Sequence, residues 1–149
     1  FHHEFRVVLS DCPNACSRPQ IVDIGIIGSQ VPGLSDETCT MCEACIEVCK
    51  EGAILPEDEK PVIDMDKCLM CAACIKACPT GTIEAQQAGF KVCLGGRLGR
   101  HPRLAMPVPG IHTHNQVIRI VNNCIKFYKA HSRNGQRFSH LLESVDQVL

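Results

Sequence analysis

From Cys39 the chain spells C-T-M-C-E-A-C-I-E-V-C, and at an offset of 29 residues, from Cys68, it spells C-L-M-C-A-A-C-I-K-A-C. Both runs are C-x2-C-x2-C-x3-C, and no other feature limits the possible folds so tightly. Neighbouring thiols this close in sequence cannot pair into a sensible set of disulfides, so the pattern points to metal ligation. Structural zinc takes four ligands in two separated pairs and fits such runs poorly. Thiolate ligands need a reducing compartment, which implies a cytoplasmic protein in a low-oxygen setting.

The repeat has the spacing of a bacterial-type ferredoxin carrying two iron–sulfur clusters. A cubane [4Fe–4S] cluster takes one thiolate per iron. Three closely spaced cysteines can wrap three corners, and the fourth corner needs a ligand from elsewhere. In two-cluster ferredoxins the last Cys of each run serves the other cluster. Carried over, one cluster takes Cys39, Cys42, Cys45 and Cys78, and the other takes Cys68, Cys71, Cys74 and Cys49. Crossed ligation of this kind couples metal binding to folding. Ala44 and Ala73 leave room for the clusters, while Ile46 and Ile75 would shield them from water. Cys78 is followed by Pro79 but Cys49 by Lys50, so the two cluster potentials are expected to differ.

The duplication extends past the cysteines, since Cys49–Ile54 matches Cys78–Ile83 at the same offset. Two tandem copies imply a pseudo-twofold fold, not a solenoid. Residues 36–84 hold eleven acids against four bases, and the remainder holds five against eleven. The cysteine-rich stretch is thus acidic and its surroundings basic. No apolar run is long enough for a membrane span and no secretory signal is present. The first residue is Phe1, so a fragment of a longer chain is expected, with His2-His3 as a possible end of a tag.

Outside the repeat, Phe5–Leu9 and the alternating Val22, Ile24 and Ile26 read as strands. Between them lies the C-x3-C loop Cys12-Pro13-Asn14-Ala15-Cys16. Gly28–Asp36 reads as a linker, Phe90–Leu94 as a third outer strand and Met106–Gly110 as a stiff connector. Thr113-x-x-Gln116 is a capping box ahead of a helix with Ile118, Val121, Ile125 and Tyr128 on one face. Asn134-Gly135 ends it, and Phe138–Val148 reads as a last amphipathic helix. The expected class is α+β, with one domain formed by residues 1–35 and 89–149 and a ferredoxin domain, 36–88, inserted in it. Cys93 and Cys124 are expected to be packed thiols, and His112 and His114 to lie in an exposed loop before the helix.

The segments S-D-C-P-N-A-C-S-R-P-Q-I-V-D-I-G-I-I-G and G-F-K-V-C-L-G-G-R-L-G-R-H-P-R-L-A resemble the C-terminal iron–sulfur/siroheme half of the sulfite and nitrite reductase family. The ferredoxin module sits between them, as in dissimilatory-type and small anaerobic sulfite reductases. The resemblance implies that Cys12 and Cys16 ligate a further [4Fe–4S] cluster, with Cys16 bridging to the siroheme iron. It also implies a C-x5-C pair for the same cluster. That pair is absent and is expected upstream of Phe1, so the chain would supply half of this site.

Arg97, Arg100 and Arg103 lie in a loop without acids and are candidates for pairing with siroheme carboxylates. The plainer reading of them is a solvated basic loop. The loop lacks the interleaved aromatics of a nucleic-acid binder and the G-K-[ST] of a phosphate loop. The expectation is therefore the electron-transfer region of a siroheme-dependent sulfite or nitrite reductase, incomplete for catalysis by itself. Its expected partners are the upstream part of the same reductase or its other subunits, and an electron donor protein. The alternative is a stand-alone two-cluster ferredoxin-like carrier with a docking domain.

Overall fold

The computed structural model describes residues 4–149, so His2 and His3 lie outside the described residues. The chain divides into two compact units, one running up to Gly28 and resuming at Gly89–Leu149, the other being Ser29–Ala88. The architecture is mixed α+β.

In the first unit, β1 (Val7–Ser10) pairs in parallel with β2 (Ile24–Leu34), Val7 opposite Ile24. β5 (Ile83–Leu94) pairs antiparallel with β6 (Met106–His112), with a register shift between Phe90 and Val92. The sheet order is β1-β2-β5-β6. Residues 29–34 of β2 and 83–88 of β5 belong to the second unit. The helix α3 (His114–His131) starts at Thr113 with both hydrogen bonds of a capping box. Ile24, Val92, Leu94, Ile120, Cys124, Phe138 and Leu142 form the buried centre of this unit. Phe5 stacks on Tyr128 and meets Phe138 edge-on.

Several local expectations are corrected. Gly28–Leu34 is strand and not linker: the Gln30 N–H donates to the Met70 carbonyl at 3.0 Å, and Gln30 bridges to Cys71. The compact second unit accordingly starts at Ser29. Met106–Gly110 is part of β6, an edge strand, where Pro107 and Pro109 cost no ladder bond on the open side. His112 likewise closes that strand. The buried face of α3 is Val117, Ile120 and Cys124, one residue round from the face expected, and Ile118 is exposed. The last helix is a single turn, α4 (Phe138–Leu141), followed by a separate 3-10 turn at Val145–Gln147. The Gln147 amide oxygen accepts the N–H groups of Glu143 and Ser144, which stops the helix from continuing.

The second unit repeats itself. α1 (Ala44–Val48) and α2 (Ala73–Ala77) are matching single turns. β3 (Ile54–Leu55) pairs antiparallel with β4 (Val62–Ile63). The centre consists of Cys45, Ile54, Cys74 and Ile83, with Ile46, Val48, Cys49, Ile63, Ile75 and Cys78 packed against it. Four of these ten residues are cysteines. So small an apolar core cannot alone hold a unit of this size, which suits a fold completed by a ligated group.

Candidate metal centre

The geometry around the repeat follows from the backbone between its cysteines. Met41 and Glu43 have left-handed φ of 55° and 59°, and their counterparts Met70 and Ala72 have 61° and 64°. Left-handed residues at alternate positions turn successive N–H groups inward, forming a nest for an anion. The Met41 N–H accordingly points at the Cys39 sulfur at 3.4 Å, and that of Met70 at the Cys68 sulfur at 3.3 Å. Gly52 and Gly81, with φ of 59° and 73°, carry the chain round after the last Cys of each run. The Ala53 N–H then reaches Cys49 and the Ile83 N–H reaches Cys78, both at 3.4 Å.

One cavity in this unit is lined by Cys39, Cys42, Cys45 and Cys78. Three of these thiols come from the first run and the fourth from the second. Ile46, Ile83 and Pro61 close its sides. In the other set, Cys68 and Cys71 lie near enough to Cys74 to perturb it electrostatically, and Cys49 packs in the same core. Among the described residues no three donor side chains converge on a single ion. A cubane does not require that, because each thiolate binds a different iron. The inward N–H groups and the apolar walls suit an anionic cluster, so the residues present fit a [4Fe–4S] group.

Burial pushes the Cys45 thiol up, with help from the neighbouring Cys78 and Cys39 sulfurs. Burial also pushes Cys74 up, to about 11. Cys78 goes the other way. Burial acts to raise it, but the Ile83 N–H, the Thr80 hydroxyl and the Thr80 and Thr82 N–H groups outweigh burial and hold it below the ordinary thiol value.

In the first unit Cys12 and Cys16 are both exposed. Their loop turns through the Ala15 N–H donating to the Cys12 carbonyl at 3.1 Å, with Ala15 at φ 52°. The Asn14 side-chain amide donates to the Cys16 sulfur at 3.0 Å, and Ser17 ties the loop back to the Leu9 carbonyl at 2.9 Å. The segment after the loop is bonded to the glycine-rich one. Gly95 and Gly96 donate to the carbonyls of Asp23 and Val22 at 2.8 and 2.9 Å, and Ala105 donates to that of Gln20 at 2.7 Å. Gly25 permits this approach, since a Cβ there would stand 2.1 Å from the Pro19 carbonyl oxygen and 2.6 Å from the Cys93 sulfur. Cys93 and Cys124 are buried in the first unit. Burial raises both thiols, Cys124 to about 12.

Two of the three loop arginines are engaged with backbone. Arg97 donates to the carbonyls of His101 at 2.8 Å and Ser139 at 2.9 Å. Arg103 donates to those of Gly95 and Leu142, and burial, with the nearby Arg97 charge, holds it below the ordinary guanidinium value. Arg100 is exposed. Arg97 also lines a cavity of about 430 Å³ together with Arg6, Arg18 and Arg137, and with the carboxylates of Glu4 and Asp23. These three further arginines are scattered in sequence, with Arg18 just after the C-P-N-A-C loop, and only the fold reveals them as neighbours of Arg97.

Residues 1–147 match the family model for the nitrite and sulphite reductase 4Fe-4S domain. The coenzyme F420-dependent sulfite reductase of Methanocaldococcus jannaschii is 37% identical over 135 residues, 91% of this chain and 22% of that protein. An anaerobic sulfite reductase subunit from Salmonella typhimurium is 31% identical over 52 residues, 35% of this chain and 15% of that one. The matched stretches thus span less than a quarter of the length of these relatives. Among solved structures, dissimilatory sulfite reductase I matches with a TM-score of 0.63 at 14% identity, over 95% of this chain and 40% of that one. No helix among the described residues is long and apolar enough to cross a membrane. With the segment that follows C-P-N-A-C hydrogen-bonded to the glycine-rich one, the chain belongs to the nitrite and sulphite reductase 4Fe-4S domain family.

Proposed function

We propose that this chain is the iron–sulfur electron-transfer region of a siroheme-dependent sulfite or nitrite reductase, relaying electrons through two ferredoxin-type clusters toward a siroheme-coupled one. The observation that carries the reading is the single cavity lined by Cys39, Cys42, Cys45 and Cys78, where the fourth thiol crosses from the other run. Cys68, Cys71, Cys74 and Cys49 would hold the second cluster by the same rule.

When bound, a [4Fe–4S] cluster supplies one-electron storage and release. The chain's own part is to present thiolates, aim N–H groups at the sulfurs and keep water off with Ile46, Ile75 and Ile83. Cys12 and Cys16 are assigned to a third cluster, of which this chain provides half the ligands, with Cys16 as the thiolate shared with siroheme. The Asn14 amide at the Cys16 sulfur orients that thiolate. The arginine-lined cavity of the first unit offers Arg97, with Arg6, Arg18 and Arg137, as partners for anionic carboxylates. Arg103 is assigned to holding the loop, and Arg100 remains a candidate. The working compartment is the cytoplasm, and the partners are the rest of the reductase and an electron donor protein. Sulfite or nitrite would be the substrate of the whole enzyme.

The test is purification of the full-length protein under anaerobic conditions, with iron and acid-labile sulfide counts and an absorption spectrum. The reading expects siroheme bands together with about thirteen irons, four for each of three clusters and one in the siroheme, and about twelve acid-labile sulfides. A broad iron–sulfur shoulder without siroheme bands, with about eight irons, would establish the stand-alone carrier instead.

A further inference from the structure

The halves of the ferredoxin-like unit share their backbone turns but differ in the side chains beside the last Cys of each run. At Cys78 the sulfur lies 3.4 Å from the Ile83 nitrogen and 3.6 Å from the Thr80 hydroxyl, which is in turn 2.7 Å from the Thr82 hydroxyl. Thr82 is fully buried. At the equivalent place Cys49 receives the Ala53 N–H at 3.4 Å. Glu51 occupies the position of Thr80 and Ala53 that of Thr82, so neither hydroxyl has a counterpart. Gly52 and Gly81 turn the same way at both sites, which leaves side-chain chemistry as the difference.

A ligating thiolate carries no proton, so Thr80 must be the donor to Cys78. Its one hydroxyl proton is then committed, and the short contact to Thr82 is made by Thr82 donating to Thr80. The two hydroxyls form a chain polarised toward the sulfur, each strengthening the next. Donors to sulfur favour the reduced, more negative cluster and raise its potential. Glu51 places an exposed carboxylate on the turn after Cys49, which acts in the opposite sense.

We propose that Thr80, oriented by Thr82, is the residue that sets the cluster held by Cys39, Cys42, Cys45 and Cys78 at the higher potential of the two. The inference rests on the ligand sets assigned above. Thr80 acts through Cys78 and is a positioning residue.

The experiment is a potentiometric titration of the full-length protein with dithionite, followed by low-temperature EPR, alongside iron and sulfide counts. Two ferredoxin-cluster midpoints are expected in the parent protein. Thr80→Val, which keeps the shape and removes the donor, should lower only the upper midpoint. The expected change is roughly tenfold in the reduced-to-oxidised ratio at a fixed potential, or about 59 mV for one electron. Thr80→Ser should restore it, and Glu51→Thr should raise only the lower midpoint. If Thr80→Val holds its full iron and neither midpoint moves, or the lower one moves, the assignment to Thr80 is wrong while the ligand sets stand. If the parent protein holds fewer than two ferredoxin clusters, the ligand sets fail and the inference fails with them.

Discussion

Arg103 reaches the end of the last helical turn: its guanidinium donates to the Leu142 carbonyl at 3.2 Å and, through two nitrogens, to the Gly95 carbonyl at 3.1 and 2.8 Å. One planar fork thus joins the glycine-rich loop to α4, two segments about forty residues apart in the chain. An arginine that the sequence offered as a candidate for carboxylate pairing is occupied with main chain.

Arg103→Lys should therefore act on stability, since an ammonium cannot reproduce the fork. Loss of these bonds should cost about 1–3 kcal/mol, read as a lower denaturant midpoint. Under the proposed function, siroheme content per folded molecule of the full-length protein should be unchanged. A stable variant that loses siroheme would instead make Arg103 a cofactor ligand.

Gly25 lies where β2 passes beneath the Pro19 carbonyl. Gly25→Ala adds a methyl against backbone that cannot yield cheaply, and overpacking of this kind costs about 1–3 kcal/mol or more. The variant should melt earlier. A Gly25→Ala protein as stable as the parent would contradict the close approach.

The cysteines should separate into two classes by iron content. Cys45→Ser or Cys78→Ser should lose about four irons per chain, one cubane's worth. Cys93→Ala and Cys124→Ala should retain the full complement, although each loses core packing. Iron analysis of anaerobically purified variants decides between the classes.

Cys124 should make the apoprotein sensitive to alkali. Burial pushes its thiol pKa up to about 12 in the folded state, against about 8.5 in an unfolded chain. The folded state thus holds the proton more tightly. This contribution to stability is fully present below the unfolded value and is lost as pH rises toward the folded one. The slope approaches about 1.4 kcal/mol per pH unit in that window. Cys124→Ala should flatten the fall in denaturant midpoint between about pH 8.5 and about pH 11. An unchanged slope would show that this thiol is not shielded.

The cysteine runs were legible because their information is local. Three thiols separated by two residues suit one wrapping loop, and the repeat at 29 residues displays the duplication. The same alignment sets Thr80 against Glu51, so the asymmetry was present in the sequence. Its meaning was not, because the Cys78–Thr80–Thr82 chain depends on distances. Strand lengths were less legible. Gly28–Leu34 and Met106–Gly110 have the Gly and Pro content of connectors, and pairing with distant segments overrides that local preference. The buried face of α3 was misjudged by one position because Ile118 and Val117 are equally apolar, and only the packing partners choose between them.

The sequence by itself determined the cysteine runs, their duplication and the family, since all three are written in spacings and short motifs. Tertiary structure alone decided what the arginines do. Arg97 and Arg103 find their acceptors in carbonyls of Ser139 and Leu142, and Arg6, Arg18 and Arg137 meet Arg97 around one cavity. A carbonyl is the same at every residue, so no pattern of side chains marks which one a guanidinium will reach. That is fixed only when the chain brings them within a few ångströms.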